Sequence, residues 1–478
     1  MTVLGIDIGT QSLRVVLVQD GEVRAECSAS YTMHTPRPGW AEQDPLDWEK
    51  ALATVVPRAL ALAGVDAREV QALAVVAQLD GCVAVDAQCQ PLSPCLVWMD
   101  RRAVDYVPKA STHWQQSTGQ VFDASHMAAK ICWLQQERGL HRARFHQPTS
   151  YLVERLCGAY VFDHALASTT MLYNLHRRDY DDELLKEFGV SRQQIPAIGD
   201  SDKLAGVLTQ AGAARCGLVA GIPVAVGTGD DFATVLGSGV VSPGPLLCGL
   251  GTAEVVGTMS ATAIVDTGSL VETHGFLDGY FVQNPGWESG GALRWIREIL
   301  VVDSDAELDE LAAQAPPGCD GLTFLPALAG AMAPEWSASA RGCFYGLSAS
   351  HTRAHMARAV LEGAAFAMRD VRTRLQELGL ASGDIVLQGG GAQSALWAQI
   401  RADLCQAHVH RQRSTNGSAL GASLLAQALA DPGISLMSLA IANTPKSTLH
   451  VPNVSLYATY DHAYARYRLL FDSLRPMF

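Results

Sequence analysis

Three stretches of this chain have the residue types and spacing to handle a phosphate and a hydroxyl. Asp7 lies in an apolar run over residues 3–8, directly before the turn Gly9-Thr10-Gln11-Ser12, and its nearest basic neighbour in sequence is Arg14. A carboxylate is costly to bury there unless it meets a cation or a donor. The turn amides can hold a phosphate as a nest while Asp7 holds Mg²⁺ through water; a tight hairpin whose Asp accepts local backbone hydrogen bonds explains the same residues. Gly389-Gly390-Gly391-Ala392 stands between an apolar strand pattern and a helical one. Without a Cβ in the way, free amides at such a helix start approach a flat or anionic ligand, although three glycines also make a flexible turn. Asp230, after Gly227-Thr228-Gly229, reads either as a helix cap or as a base that takes a proton from a substrate hydroxyl. The doubled Asp230-Asp231 leaves one carboxylate without a capping role.

Three further segments join a flat apolar or polar face to hydroxyl acceptors and forked donors, as a polyol site requires. They are Trp40 with Glu42, Gln43 and Asp44; Gln78-Leu79-Asp80-Gly81; and Trp98 with Asp100, Arg101 and Arg102. Taken singly, each is also ordinary loop and strand-end chemistry. The chain has no G-x-x-x-x-G-K-[ST], no H-R-D or D-F-G set, no H-E-x-x-H and no Ser/His/Asp order, so a nucleotide would be bound by an architecture other than a P-loop or a protein kinase. The eleven cysteines are scattered, odd in number and without a C-x-x-C pair. That pattern predicts buried thiols in a reducing compartment and gives no zinc motif.

These residues must be positioned by a large folded chain. Its 478 residues are 48% hydrophobic and 17% charged, enough for two large domains or three small ones. A net charge of -13 without a basic block disfavours nucleic acid and anionic membrane surfaces, and an anionic ligand would need a local site of amides or a metal. Apolar runs fall short of the roughly 20 residues that span a bilayer. With no basic leader or cleavable apolar segment, the expected location is cytoplasmic.

Strand patterns cover residues 3–8 and 13–18, with a third strand after Asp20-Gly21. A helix starts at Asp44-Pro45, carries Trp48, Leu52 and Val55 on one face, and ends at Gly64. Strand patterns recur at 71–77, 82–85, 95–98 and 222–226, and a helix-like segment at 232–236 stops at Gly237. Ser242-Pro243-Gly244-Pro245 marks a boundary between domains 1–242 and 243–478. Beyond it, residues 246–250, Gly251-Thr252 and 255–259 repeat the strand, Gly-Thr turn, strand order that opens the chain. A long helix carries Met356, Val360, Ala364, Ala367, Val371, Leu375 and Leu378 at steps of three or four and is capped by Gly379. The strand 385–388, the glycine turn and a helix bearing Leu396, Ile400 and Leu404 follow. Alternating strands and helices give an α/β class with two domains.

Together these residues resemble the FGGY family of carbohydrate kinases, within the actin/Hsp70-like ATPase superfamily. Gly342-Cys343-Phe344-Tyr345-Gly346-Leu347, followed by His355-Met356 and Ala359-Val360-Leu361-Glu362, matches the family's C-terminal signature in every constrained position. The N-terminal signature fits at Ser125, Lys130, Ile131, Trp133 and Leu134, with Met127 as a departure. The resemblance implies two actin-like (ribonuclease H-like) domains around a cleft, ATP and Mg²⁺ as cofactors, and transfer of the γ-phosphoryl group to a sugar hydroxyl. It implies Asp230 as the catalytic base, and a sugar site of Gln78, Leu79, Asp80, Trp98, Asp100 and Asp230. The implied nucleotide site is Gly9, Thr10, Gln11, Ser12, Arg14, Gly251, Thr252, Gly290, Arg294, Gly390, Gly391 and Ala392, with Asp7 near Mg²⁺, through water. A homodimer is implied by resemblance alone.

The segments Gly39 to Pro45 and Trp98 to Arg102 look like those of kinases acting on the ketopentose xylulose. Asp80 departs from this pattern, standing where a sugar-contacting His is expected, and Ala331-Met332 stand where a charged Glu-Arg pair is expected. Glu254 is loosely similar to the deoxyketohexose kinases. A ketopentose, xylulose first, is therefore expected ahead of a deoxyketohexose or another polyol. A non-kinase ATPase switch and a silent sugar-binding paralogue are the readings from other classes.

Overall fold

The first apolar run folds as β1 (Thr2–Ile8), which turns at Gly9 to Gln11 into β2 (Ser12–Gln19) and then β3 (Glu22–Ser30). This is a computed structural model, which describes residues 1–107, 112–414 and 416–478. Helix α1 (Pro45–Ala63) starts where the sequence predicts: the Asp44 carboxylate accepts from Leu46 N, Pro45 opens the helix, and Gly64 closes it at φ 66°. Strand β4 (Val70–Ala77) runs parallel to β1. The first sheet continues through β5 (Leu204–Val207) and β6 (Pro223–Ala225) to the order β5-β6-β4-β1-β2-β3, and Thr228–Gly229 pairs with β4 as its seventh strand.

Helix α2 (Asp230–Ser238) begins two residues before the predicted helical segment and runs through Gly237 to end at Gly239. The polypeptide then builds the sheet a second time. Strands β7 (Leu246–Leu250), β8 (Ala253–Ser260), β9 (Glu272–Phe276) and β10 (Gly279–Glu288) precede helices α3 (Gly290–Leu300) and α4 (Arg353–Glu377). Strand β11 (Ile385–Gln388), helix α5 (Ala395–Cys405), strand β12 (Val409–Gln412), helix α6 (Gly417–Ala430) and strand β13 (Ser447–His450) follow. Helix α4 is closed by Leu378, and Gly379 follows at φ 79°.

The second order is β9-β10-β8-β7-β11-β12-β13. In both sheets the first strand pairs antiparallel with the second across a Gly-Thr turn and parallel with a later strand. The outermost strand on that side is antiparallel in both, β5 on β6 and β13 on β12. The duplication faint in the sequence is thus a duplication of sheet topology.

Period-two alternation explains how β1 meets helices on both faces. Leu4, Ile6 and Ile8 join the α1 side of the core, whereas Val3 packs on the side that holds Ala419 and Ala422 of α6. Gly5 and Asp7 share that second face. A Cβ on Gly5 would lie 2.5 Å from the Ala419 carbonyl oxygen, so glycine lets α6 ride directly on the strand. Helix α6, although it follows β12, packs chiefly against α2, β1 and β4 of the first sheet. It therefore brings Ser418 to Asp7. All eleven cysteines are free thiols, and among the described residues no helix is long and apolar enough to cross a membrane.

Candidate active site

Asp7 ends β1 on the face that looks towards α6. Its Oδ2 accepts from Ser418 Oγ at 2.6 Å, while Oδ1 is buried with no hydrogen-bond partner. Burial pushes its carboxyl up against the opposing pull of the Ser418 bond and of Arg14, its cross-strand neighbour. A hard divalent cation, which takes oxygen ligands and retains several waters, fits an orphaned carboxylate oxygen of this kind.

Asp230 and Asp231 are the first two residues of α2. Gly229 occupies the cap position, and no side chain caps the helix there. The N-cap reading of Asp230 therefore gives way: a residue already inside the first turn cannot cap it. Its Oδ1 instead accepts from Asp231 N at 3.0 Å. Both carboxylates remain partly open to solvent, yet dense surroundings strip enough hydration to raise them. Burial, then the charges of Asp231 and Asp7, hold Asp230 well above the ordinary aspartate range. Asp231 is pushed up to about 6 by burial and then by Asp80. Four carboxylates from three widely separated segments thus share one electrostatic environment, and such clusters mark places where proton affinity is tuned.

The sugar-side residues divide sharply. Gln78 is buried, donating from Nε2 to Gln43 Oε1 at 2.7 Å, and Gln43 Nε2 donates to Thr10 O at 2.6 Å. Leu79 packs against Gly229, where a Cβ would come within 2.1 Å of Leu79 Cδ2. Trp98 is 40% exposed, and its indole N–H donates to Thr10 Oγ1 at 3.2 Å, so the edge of its ring meets the first turn. Asp80 holds φ 59°, a conformation Asp tolerates better than most residues. Its carboxylate meets His126 Nδ1 at 3.2 Å, and Lys130 Nζ donates to its carbonyl at 2.6 Å.

Asp100 does not join them. It is fully buried, and its oxygens accept from Ala41 N at 2.7 Å and from the backbone and guanidinium of Arg102. With its acceptors engaged inside the protein, it can position the Trp98 segment but cannot meet a sugar. The Trp40 cluster is likewise internal: the Arg102 guanidinium lies 3.7 Å from the centre of the Trp40 ring, Glu42 accepts from Arg102 at 2.8 Å, and Asp44 caps α1. Arg101 forks onto Asp123.

On the opposite wall, the Gly251-Thr252 turn joins β7 to β8, and α3 starts against it. Gly291 N donates to Thr252 O at 3.0 Å, and Arg294 reaches Thr252 Oγ1 at 3.3 Å. A Cβ on Gly290 would stand 2.3 Å from the Gly251 carbonyl oxygen, so only glycine allows this contact. Gly389 holds φ 95° over Leu250, and Gly390 faces open space. Ala392 is buried and can offer a ligand only its backbone. Gly9 N donates to Ser12 O at 3.0 Å, which closes the first turn and withdraws that amide from a phosphate nest. Gln11 is exposed, and Arg14 pairs with Glu26 at 3.3 Å.

One pocket connects the two walls, lined by Asp231 and Thr234 on one side, Gly251, Gln388 and Gly389 on the other, and Ser418 between them. Sequence reasoning missed the supports beneath it. Tyr31 donates to Gly9 O, and the charges of Asp7 and Asp230 raise its hydroxyl further than burial alone. His126 also lies 3.6 Å from Glu272 in β9, and nothing in the sequence near either residue signals that approach. Lys130, fully buried, donates to three carbonyls, those of Asp80, Val97 and Ser125. It pins the Asp80 and Trp98 loops together, and only the family signature marked it.

Two α/β domains of duplicated topology, with glycine turns facing carboxylates across a cleft, define an actin-like ATPase fold carrying a phosphoryl-transfer site. The N-terminal domain of the FGGY family of carbohydrate kinases matches residues 2–237, and the C-terminal domain of that family matches residues 246–430. The chain belongs to the FGGY family and is an ATP-dependent carbohydrate kinase. It is 31% identical over 99% of both chains to a xylulose kinase of Escherichia coli. It is also 33% identical to a glycerol kinase of Citrifermentans bemidjiense, covering 88% of this chain and 89% of that one. The crystal structure of xylulose kinase from Rhodospirillum rubrum superposes with a TM-score of 0.92 at 28% identity, covering 100% of this chain and 99% of that one. Kinases of this family use ATP, usually with Mg²⁺.

Proposed function

We propose that the enzyme phosphorylates a ketopentose, xylulose first, with Asp230 as the base, and that it works in the cytoplasm. The observation carrying this reading is the pocket that runs from Asp231 and Thr234 to the Gly251 and Gly389 turns. A sugar held against the Gln78 to Asp80 segment and Trp98 would meet a nucleotide held by Gly251, Thr252, Gly290, Arg294, Gly390 and Gly391. Asp230 orients the sugar hydroxyl and accepts its proton as the oxygen bonds to the γ-phosphorus and the bond to the ADP oxygen breaks. A loose transition state demands little of the base before that bond forms. Asp7, with its unpartnered oxygen, would hold Mg²⁺, which when bound offsets phosphate charge. Residues 1–242 would then carry the sugar and the base, and residues 243–478 the nucleotide.

Full-length similarity to a xylulose kinase supports the ketopentose. The glycerol kinase relative favours a smaller polyol as the second reading. Glu254, the residue that resembles the deoxyketohexose kinases, makes a buried ion pair with Arg401, and a deoxyketohexose stays among the candidates. A coupled assay of ADP release over ketopentoses, deoxyketohexoses and glycerol tests the proposal. Xylulose is expected to give the highest kcat/KM; a higher value for glycerol would move the assignment, and no stimulation by any polyol would remove it.

A further inference from the structure

Away from the cleft, the turn after Asp86 meets the strand Arg144–His146 and the helix Pro148–Cys157 that follows it. Cys89, His146 and Glu154 each offer a ligand atom there, all within 4.8 Å of one another. Bond lengths of 2.0–2.3 Å at tetrahedral zinc place neighbouring ligand atoms roughly 3.5 Å apart, so the cluster would draw in by up to about 1.3 Å to close on an ion. Cys89 and His146 are buried and Glu154 is half-buried.

The hydrogen bonds decide which atoms are free. In the tautomer with its proton on Nδ1, His146 donates to Ser150 Oγ at 3.0 Å while that hydroxyl donates to Gln147 O at 3.1 Å. A neutral His146 then turns the lone pair of Nε2 towards Glu154 Oε2 at 3.0 Å. Nε2 is buried with no hydrogen-bond partner. Two acceptors at that separation repel unless a positive species lies between them.

We propose that Cys89, His146 and Glu154 form a site for a borderline-soft divalent cation of the zinc type. A thiolate, an imidazole and a carboxylate suit such an ion and not Mg²⁺. The surrounding bonds are those that orient metal ligands. Ser150 fixes the ring through Nδ1, and Arg144 forks onto Glu154 at 2.7 and 3.1 Å, so that its charge steadies the carboxylate. The second nearby guanidinium, Arg155, is tied to Glu49 at 2.7 Å and to the Cys89 carbonyl. The ion would fasten the turn after Asp86 to the start of the next helix, with a fourth position left to water.

The test uses the full chain after chelation, dialysed against Zn²⁺ in Mg²⁺-containing buffer and assayed for metal content. One zinc per chain is expected, with affinity at least tenfold weaker in Cys89→Ser and in His146→Gln. Co²⁺ should give a thiolate charge-transfer band in the wild type that Cys89→Ser lacks, with sugar-stimulated ADP release unchanged in both variants. If His146→Gln fails to fold, the one-atom change at Cys89 and the Co²⁺ band carry the test alone. Absence of stoichiometric zinc, or equal binding when Cys89 is serine, would overturn the site and leave a proton on His146 as the species facing Glu154.

Discussion

The Glu254–Arg401 pair offers a prediction whose size follows from geometry. Arg401 Nη1 and Nη2 meet Glu254 Oε1 and Oε2 at 2.5 and 2.7 Å, and neither side chain is exposed. The guanidinium also lies 4.4 Å from the centre of the Trp397 ring, and its Nε has no partner. Glu254→Gln removes the charge while keeping the shape, stranding a buried cation. Breaking such a pair costs about 3–5 kcal/mol, a large share of the ~5–15 kcal/mol that stabilises a typical domain. The melting temperature should fall on the order of 10 °C. Replacing both residues with leucine and methionine should recover most of the loss, since the desolvation penalty disappears with the charges. Thermal and urea unfolding measure the first effect, and kcat/KM over a sugar panel measures the second. Because Glu254 lies in the core of the second domain, relative sugar preference should stay unchanged. A variant with wild-type stability and altered preference would refute the reasoning.

The remaining predictions concern the cleft and its supports. As the proposed base Asp230 would act deprotonated, and Asp231 raises its proton affinity; Asp231→Asn should therefore shift the acid limb of the kcat/KM profile to lower pH, and a shift upward would contradict the cluster. Gly290→Ala would press a Cβ to 2.3 Å from the Gly251 carbonyl; calorimetric titration should show ATP binding weakened at least tenfold with sugar binding retained. Asp100→Asn should lower unfolding stability by about 3 kcal/mol, because it disturbs a buried partner of Arg102. Its effect on the KM for sugar should remain small if Asp100 positions without touching.

Local signals carried much of this protein. The Asp44-Pro45 start and Gly64 stop of α1 were readable because caps act within a few residues. The Gly-Thr turns were readable for the same reason, as was strand β11 before its glycine run. What stayed hidden depends on distant partners. Asp100 looked like a sugar acceptor because its sequence neighbours are polar, and only the fold brings Ala41 N and Arg102 onto it. Helix α6 follows the second glycine turn in sequence yet packs on β1, so Ser418 could not be paired with Asp7 in advance. Glu254 looked like a specificity mark, and the answering Arg401 lies beyond any local window. The cysteine spacing held no metal pattern, since Cys89 meets its neighbours only through the turn after Asp86.

The most direct measurement is sugar-stimulated ADP release by Asp230→Asn beside the wild type, with nucleotide binding followed in parallel by calorimetry. A positioned base contributes on the order of 10²–10⁴ in rate. Release should fall by at least about 100-fold while ATP affinity stays close to that of the wild type. Turnover retained within a few-fold, with ATP still bound, would contradict the assignment of Asp230 and with it the account of the cleft.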